Sequence, residues 1–406
     1  MNKSSLFKYS IIAFILLLSL SSFTNVEVKV FGKIYIKADG SIEGTNKIEQ
    51  NGNTYKFTDN IEMKESIKIQ TSNIIIDGAG YNLKVAGEEL EPISGIEIIE
   101  QKNVTIKRLI INGFNNKNNV IYINKANNIT IENCTLTETN NGIDIDHSQN
   151  ITIKQNKITE FKRTSIAIYN STNFSIIDNY ISRSIDFQYP QGLHISNSEN
   201  STISQNTISD CYYGIEIHAC YGISFTRNHL TKNNIGLYLY YGGNNLITEN
   251  TIIENERFGM ELSSSSSNPG NTIHHNNFIN NNMEYISEQL QVSNRWFAGP
   301  ESNSWDSGEE GNYWSDYKMR YPDANEINGS GVYNIAFFIN PENLDYYPLV
   351  NPITFPIPTP IPSPTPTLTP TSSPEPEPFP TIQVLVIIIT ILTGLGILIY
   401  SIKKRT

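Results

Sequence analysis

The sequence predicts an all-β chain built as a right-handed parallel β-helix of about nine coils, and three observations carry that prediction. Asn156, Asn179, Asn206, Asn228, Asn250 and Asn276 recur at separations of 23, 27, 22, 22 and 26 residues, each two positions ahead of an Ile, Leu or Phe. Each unit has a second signature further on, a short run with alternating apolar residues: GIDI, SIAI, GLHI, GIEI, GLYL and GMEL. Alternation of this kind, rich in Ile and separated by turn formers, specifies strands and not helices. A nearly constant period then requires coils stacked about 4.8 Å apart, so that equivalent residues lie above one another.

The repeats occupy residues 23–293. In each unit the Ile, Leu and Val positions are expected to point into a narrow core. The repeated Asn is expected at a corner, where its amide bonds the backbone and the Asn of the next coil and where Asn tolerates a left-handed backbone. Cys134 stands at the ladder position in the coil that begins at Ile129, and Leu109 does so in the coil that begins at Val104. SNIIIDGAGY, from Ser72 to Tyr81, reads as an earlier turn. Nine coils give a rod on the order of 40 Å.

Both ends carry addresses. Lys3 and Lys8, the apolar run Ile11 to Leu20 and the small Ser19 and Ser21 define residues 1–22 as a secretory signal peptide. Residues 381–400 form an expected transmembrane helix, followed by a basic tail, 401–406, whose Lys403, Lys404 and Arg405 mark the cytoplasmic side. Between repeats and helix, residues 352–380 hold 12 of the 19 prolines and read as a polyproline stalk. The expected product is a single-pass cell-membrane protein with its bulk outside the cell. A net charge of −11, with no basic cluster away from the termini, argues against nucleic acid and anionic membrane surfaces as partners. Three cysteines do not make a disulfide scaffold, although Cys211 and Cys220 are close enough in sequence to pair.

The chemistry is expected on the second signature of each coil. Its apolar residues face inward, so the intervening positions form two outward rows. The first row reads Glu97, Tyr122, Asp144, Ala167, His194, Glu216, Tyr238 and Glu261. The second reads Ile99, Asn124, Asp146, Tyr169, Ser196, His218, Tyr240 and Ser263. Neither holds a Lys or Arg, which disfavours lyase chemistry. His194, Glu216 and His218 would converge well enough to bind a metal. Asp144 and Asp146, about 7 Å apart at the backbone, fall in the separation used by an inverting glycosidase. Their exposed strand, however, lacks neighbours that would raise one pKa and lower the other. Tyr169, Tyr238 and Tyr240 offer faces for sugar rings.

After Asn294 the repeat gives way to aromatic residues, and residues 294–351 read first as a terminal cap that protects the open strand edge. A sugar subsite built by Trp305, Tyr313, Trp314 and Tyr317 is the alternative. IYIKADGSI, NIIIDGAGY, the repeats and the ending NSWDSGEEGNYWSDY to DYYPL together resemble the NosD-type right-handed β-helix proteins. These belong to the wider pectin-lyase-like group of carbohydrate-binding and sugar-hydrolysing repeat proteins, and membrane-anchored archaeal surface proteins are similar. The resemblance covers about residues 32–351. It implies the β-helix fold, and for the accessory proteins proper it implies copper delivery, so copper or zinc is the implied cofactor. The first functional reading is a surface protein that binds an extracellular glycan or envelope polymer without turnover. The others are an inverting hydrolase using Asp144 and Asp146, and a metal carrier using His194, Glu216 and His218.

Overall fold

The computed structural model describes residues 33–356 apart from 64, 86–93, 184–187, 264–268, 283–290 and 295–302. The expected signal peptide, transmembrane helix and basic tail, and the stalk beyond residue 356, lie outside the described residues. Among the described residues no helix is long and apolar enough to cross a membrane.

The architecture is a parallel β-solenoid of about nine turns. One turn shows how the sequence builds it: Thr202–Ser204, Thr207–Ser209 and Tyr213–Tyr221 are three strands separated by two corners. The next turn stacks on it in parallel with Ile203 beside Phe225, Ile208 beside Leu230 and Ile217 beside Leu239. The first strands of successive turns make an 11-stranded sheet. The second and third strands form two further faces, joined into one 21-stranded sheet because Ile110–Asn124 and Thr135–Asp146 run through the corner without a break. The core is a column of inward Ile, Leu and Phe, with Ile203, Ile208 and Ile217 all fully buried.

Buried corners leave backbone N–H groups that the sheets cannot satisfy, and asparagine supplies the acceptor. The Asn156 backbone N–H and Nδ2 both donate to Oδ1 of Asn179 at 3.0 Å, and its Nδ2 also donates to the Ile131 carbonyl at 3.0 Å. The pattern repeats through Asn206, Asn228, Asn250 and Asn276. Cys134 joins at the other end, donating its backbone N–H to Asn156 Oδ1. The expected reason for Asn was partly wrong. The left-handed residue of each corner is the one before it, namely Gln155, Asp178, Gln205, Arg227, Glu249 and His275, with φ between 55° and 61°. Asn is required for its carboxamide, which both donates and accepts, and not for its backbone freedom.

Two further ladders went unread in the sequence. Asn233, Asn255 and Asn281 line the second corner and Asn245, Asn271 and Asn303 the third, each with the same backbone-to-Oδ1 bond. Cys211 begins the second ladder by donating to Asn233 Oδ1, whereas Cys220 is buried beside the third, and both thiols are free. The pairing of Cys211 with Cys220 is therefore corrected: they belong to different corners of the turn. Gly192, Gly214 and Gly236 stack in a column because a Cβ on any of them would lie 2.4–2.5 Å from the carbonyl oxygen of the next glycine.

Residues 303–350 sit against the last turns and continue the ladders. Asn276 donates to Asn312 Oδ1 at 3.0 Å, and the Asn312 N–H donates to Oδ2 of the fully buried Asp345 at 2.7 Å. Gly311 is obligatory there, since a Cβ would fall 1.8 Å from Asp345 Oδ1. Burial pushes the Asp345 carboxyl up to about 7, against the N–H donors of Trp314, Asn312 and Tyr347.

The ladder is predicted to hold the solenoid together. Asn206→Ala would strip acceptor and donors from a buried corner, and an unsatisfied group of this kind costs about 1–3 kcal/mol. The guanidinium midpoint should drop accordingly, and an unchanged midpoint would show that the corner closes without the amide.

Candidate functional site

The face formed by the third strands of the turns carries both outward rows in the expected register. Tyr122 pairs with Asp144, Asp144 with Ala167, Ala167 with His194, His194 with Glu216 and Glu216 with Tyr238. Asp146, Tyr169, Ser196, His218 and Tyr240 follow in the second row. The first row extends one strand further back to Lys68, whose Nζ is 3.1 Å from Glu97, so the face does hold a lysine, engaged in an ion pair. A shallow cleft of about 330 Å³ opens at that end, lined by Lys68, Ile69, Gln70, Glu97, Ile99 and Gln101. It is four strand spacings, about 19 Å, from His194 and two, about 10 Å, from Asp144.

His194, Glu216 and His218 converge. Glu216 lies at the centre with 6% of its surface exposed. Its Oε2 is 3.3 Å from His194 Nδ1, and its Oε1 is 2.8 Å from His218 Nε2. Burial would raise this carboxyl, but the hydrogen bonds and charge of the two imidazoles outweigh it and hold Glu216 at about 2. Gln191 donates from Nε2 to Glu216 Oε2 and is itself held by Thr164, whose hydroxyl donates to Gln191 Oε1 at 2.8 Å. Gln191 and Thr164 belong to a third outward row, with Asn141 and Tyr213, two residues before the first apolar position. The period of two would have found this row had it been followed back past the glycine.

The aspartate pair differs from expectation. Burial, then the charge of Asp146, pushes Asp144 up to about 6. Asp146 moves the other way: burial opposes it, yet hydrogen bonds from Asn170 and His147 and the His147 charge carry it below the usual carboxylate range. Asn170 Nδ2 donates to Asp146 Oδ1 at 2.9 Å, and His147 Nδ1 lies 2.7 Å from the same oxygen. The neighbours that separate the two carboxyls come from the corner after the strand and from the next turn, which the strand sequence alone does not reveal.

Aromatic rings form a continuous path along the face. Tyr169 lies 5.4 Å from His194, His194 5.3 Å from His218 and His218 5.2 Å from Tyr240, centroid to centroid. Tyr213 stacks on Tyr238 at 5.1 Å with an interplanar angle of 18°. Trp305 and Trp314, expected as a possible sugar subsite, are elsewhere: each is 1% exposed. Trp314 is stacked between Phe278 and Phe337, and both indole N–H groups are committed, to Asn343 and Asp345. Buried rings of this kind pack the interior and present no platform to a ligand. His274 and His275 meet at a corner, their Nδ1 atoms 2.6 Å apart, and His275 reaches Glu310 at 2.7 Å.

A family model described as a right handed beta helix region matches residues 94–233 and 164–304, together spanning more than half of the 406 residues. The chain belongs to this family. Among solved structures, this family member is similar to the periplasmic alginate epimerase AlgG, at 14% identity and a TM-score of 0.44 over 66% of this chain and 76% of that one. DFA-IIIase from Arthrobacter chlorophenolicus A6, crystallised without its lid, matches at 14% identity and a TM-score of 0.40 over 72% and 88%. PfbA, a surface adhesin of Streptococcus pneumoniae, matches at 14% identity and a TM-score of 0.43 over 64% and 75%. No curated protein matches by sequence.

The raised Asp144 has a consequence for stability. Its folded pKa of about 6 exceeds its ordinary 3.8, so the folded state prefers the protonated form. That contribution is complete below about pH 4 and is lost as pH rises through about 6. Asp144→Asn is predicted to remove this part of the decline, making its stability curve flatter than that of the wild type over that window. Parallel curves from denaturant titrations would refute the assignment.

Proposed function

We propose that this chain is a carbohydrate-binding surface β-helix whose outward third-strand face holds an extended glycan. The single observation that carries the reading is the aromatic path from Tyr169 through Tyr240, with Tyr213 stacked on Tyr238 beside it. It spans three strand spacings, about 14 Å. Flat rings at coil spacing suit the C–H faces of sugar rings, while Gln191, Ser196 and Asp146 offer hydrogen-bond partners beside them. The same reading takes residues 1–22 as the export signal, 294–351 as a cap, 352–380 as a stalk and 381–400 as the anchor, which would present the face outside the cell. Support for the cap is the burial of Trp305 and Trp314 at the end of the ladders.

Tyr238→Ala and Tyr240→Ala should each weaken retention of a glycan found on an array by roughly tenfold, the value of about 1–1.5 kcal/mol per stacked ring. Retention unchanged in the double variant would remove this face as the binding surface.

Hydrolysis is the second reading, favoured by the opposed shifts of Asp144 and Asp146. A protonated Asp144 donates its proton to the glycosidic oxygen as the C–O bond breaks, and ionised Asp146 takes a proton from the water that attacks the anomeric carbon from the opposite side. Asp146 must be ionised and Asp144 protonated, so sugar release should be highest on the acid side of about pH 6 and fall as pH rises through it. Asp144→Asn should abolish release while leaving binding in place. Release that persists in this variant, or rises steadily to neutral pH, would exclude the pair.

A further inference from the structure

We propose that His194, Glu216 and His218 form a binding site for one divalent cation of the zinc class, a site that stands whether or not the face binds glycan. The ligand atoms of the three residues already lie within 4.8 Å of one another. A tetrahedral ion bound at about 2.0–2.2 Å needs ligand atoms roughly 3.4 Å apart. His194 Nδ1 is 3.3 Å from Glu216 Oε2 and His218 Nε2 is 2.8 Å from Glu216 Oε1, so a modest adjustment of the side chains brings one nitrogen from each ring and one carboxylate oxygen to that spacing. His218 can make that adjustment, because its side chain is 34% exposed at the edge of the cluster while His194 and Glu216 are held more deeply.

Three features make this more than an exposed charged cluster. The carboxylate is buried between the two imidazoles, with one oxygen turned to each. Gln191, itself held by Thr164, restrains it from the adjacent outward row, in the way that outer residues orient metal ligands. Tyr169 and Tyr240 flank the imidazoles and limit the space around them. Two imidazole nitrogens and one carboxylate suit zinc with one coordination position open to water or a substrate oxygen. All three cysteines are buried, so the site offers no thiolate and suits copper(I) poorly.

The test is zinc binding by the full-length chain in detergent. The metal-stripped protein is equilibrated with zinc chloride and desalted, bound zinc is counted by plasma mass spectrometry, and affinity is measured by calorimetry. The wild type is expected to hold one zinc per chain. His194→Ala and His218→Ala should lose it, and Gln191→Ala should weaken it by roughly 10–100-fold, as loss of an outer-shell partner does. His275→Ala, which alters the other histidine pair, should bind like the wild type. If His218→Ala fails to fold by circular dichroism, His218→Phe keeps a ring of similar breadth without the ligand nitrogen and takes its place. A wild type without zinc, zinc retained by both cluster variants, or zinc lost on changing His275 would overturn the proposal.

Discussion

The corner hydrogen bond from one turn to the next is the interaction on which the rest of this structure depends. A β-solenoid must bend its chain inside the protein, and each bend buries backbone N–H groups that no strand can reach. The carboxamide of Asn meets the need in both directions, accepting from the turn below and donating to a carbonyl across the bend. Each bond forms only when successive turns are in register, so the ladder and the stacking stabilise each other. Its last members, Asn312 and Asp345, tie the aromatic segment to the same ladder, and the buried stack of Phe278, Trp314 and Phe337 continues the core at the point where the repeats stop.

Strict register turns sequence periodicity into surface geometry. Residues spaced by one repeat become neighbours about 4.8 Å apart, and their side chains rest on a sheet that cannot easily deform. The outward face therefore resembles a printed array, in which a single substitution changes one cell. Ala167 is an example: it is the smallest side chain in its row and separates the aspartate pair from the histidine cluster. The two titratable groups are thus distinct neighbours on one face, one built from oxygen alone and the other mainly from imidazole. The aromatic path crosses from the first group to beyond the second.

Much of this could be read before any coordinates. The parallel solenoid, its turn number and both outward rows followed from the repeat and from alternation within a strand, and all three members of the histidine–glutamate cluster were identified from those rows. The reading fell short where a side chain's environment came from outside its own strand. His147 and Asn170, which pull Asp146 away from Asp144, lie in the following corner and the next turn. Gln191 lies outside the alternating run that begins at Gly192, and the Asn residues of the second and third corners recur in fewer turns than those of the first. The tryptophans read as either packing or platform, since an indole's composition is the same in both roles.

What the sequence by itself determined was therefore whatever repeats: coil length, the inward and outward alternation of strands, and the identity of residues stacked in each row. These are one-dimensional properties, set by a period of two within a strand and a period of about 22 between turns. Only the tertiary structure decided the electrostatic state of the outward groups and the depth of the aromatic residues. Burial and hydrogen bonding at Asp144, Glu216 and Trp314 are sums over neighbours contributed by several turns, and no local pattern in a single strand encodes that sum.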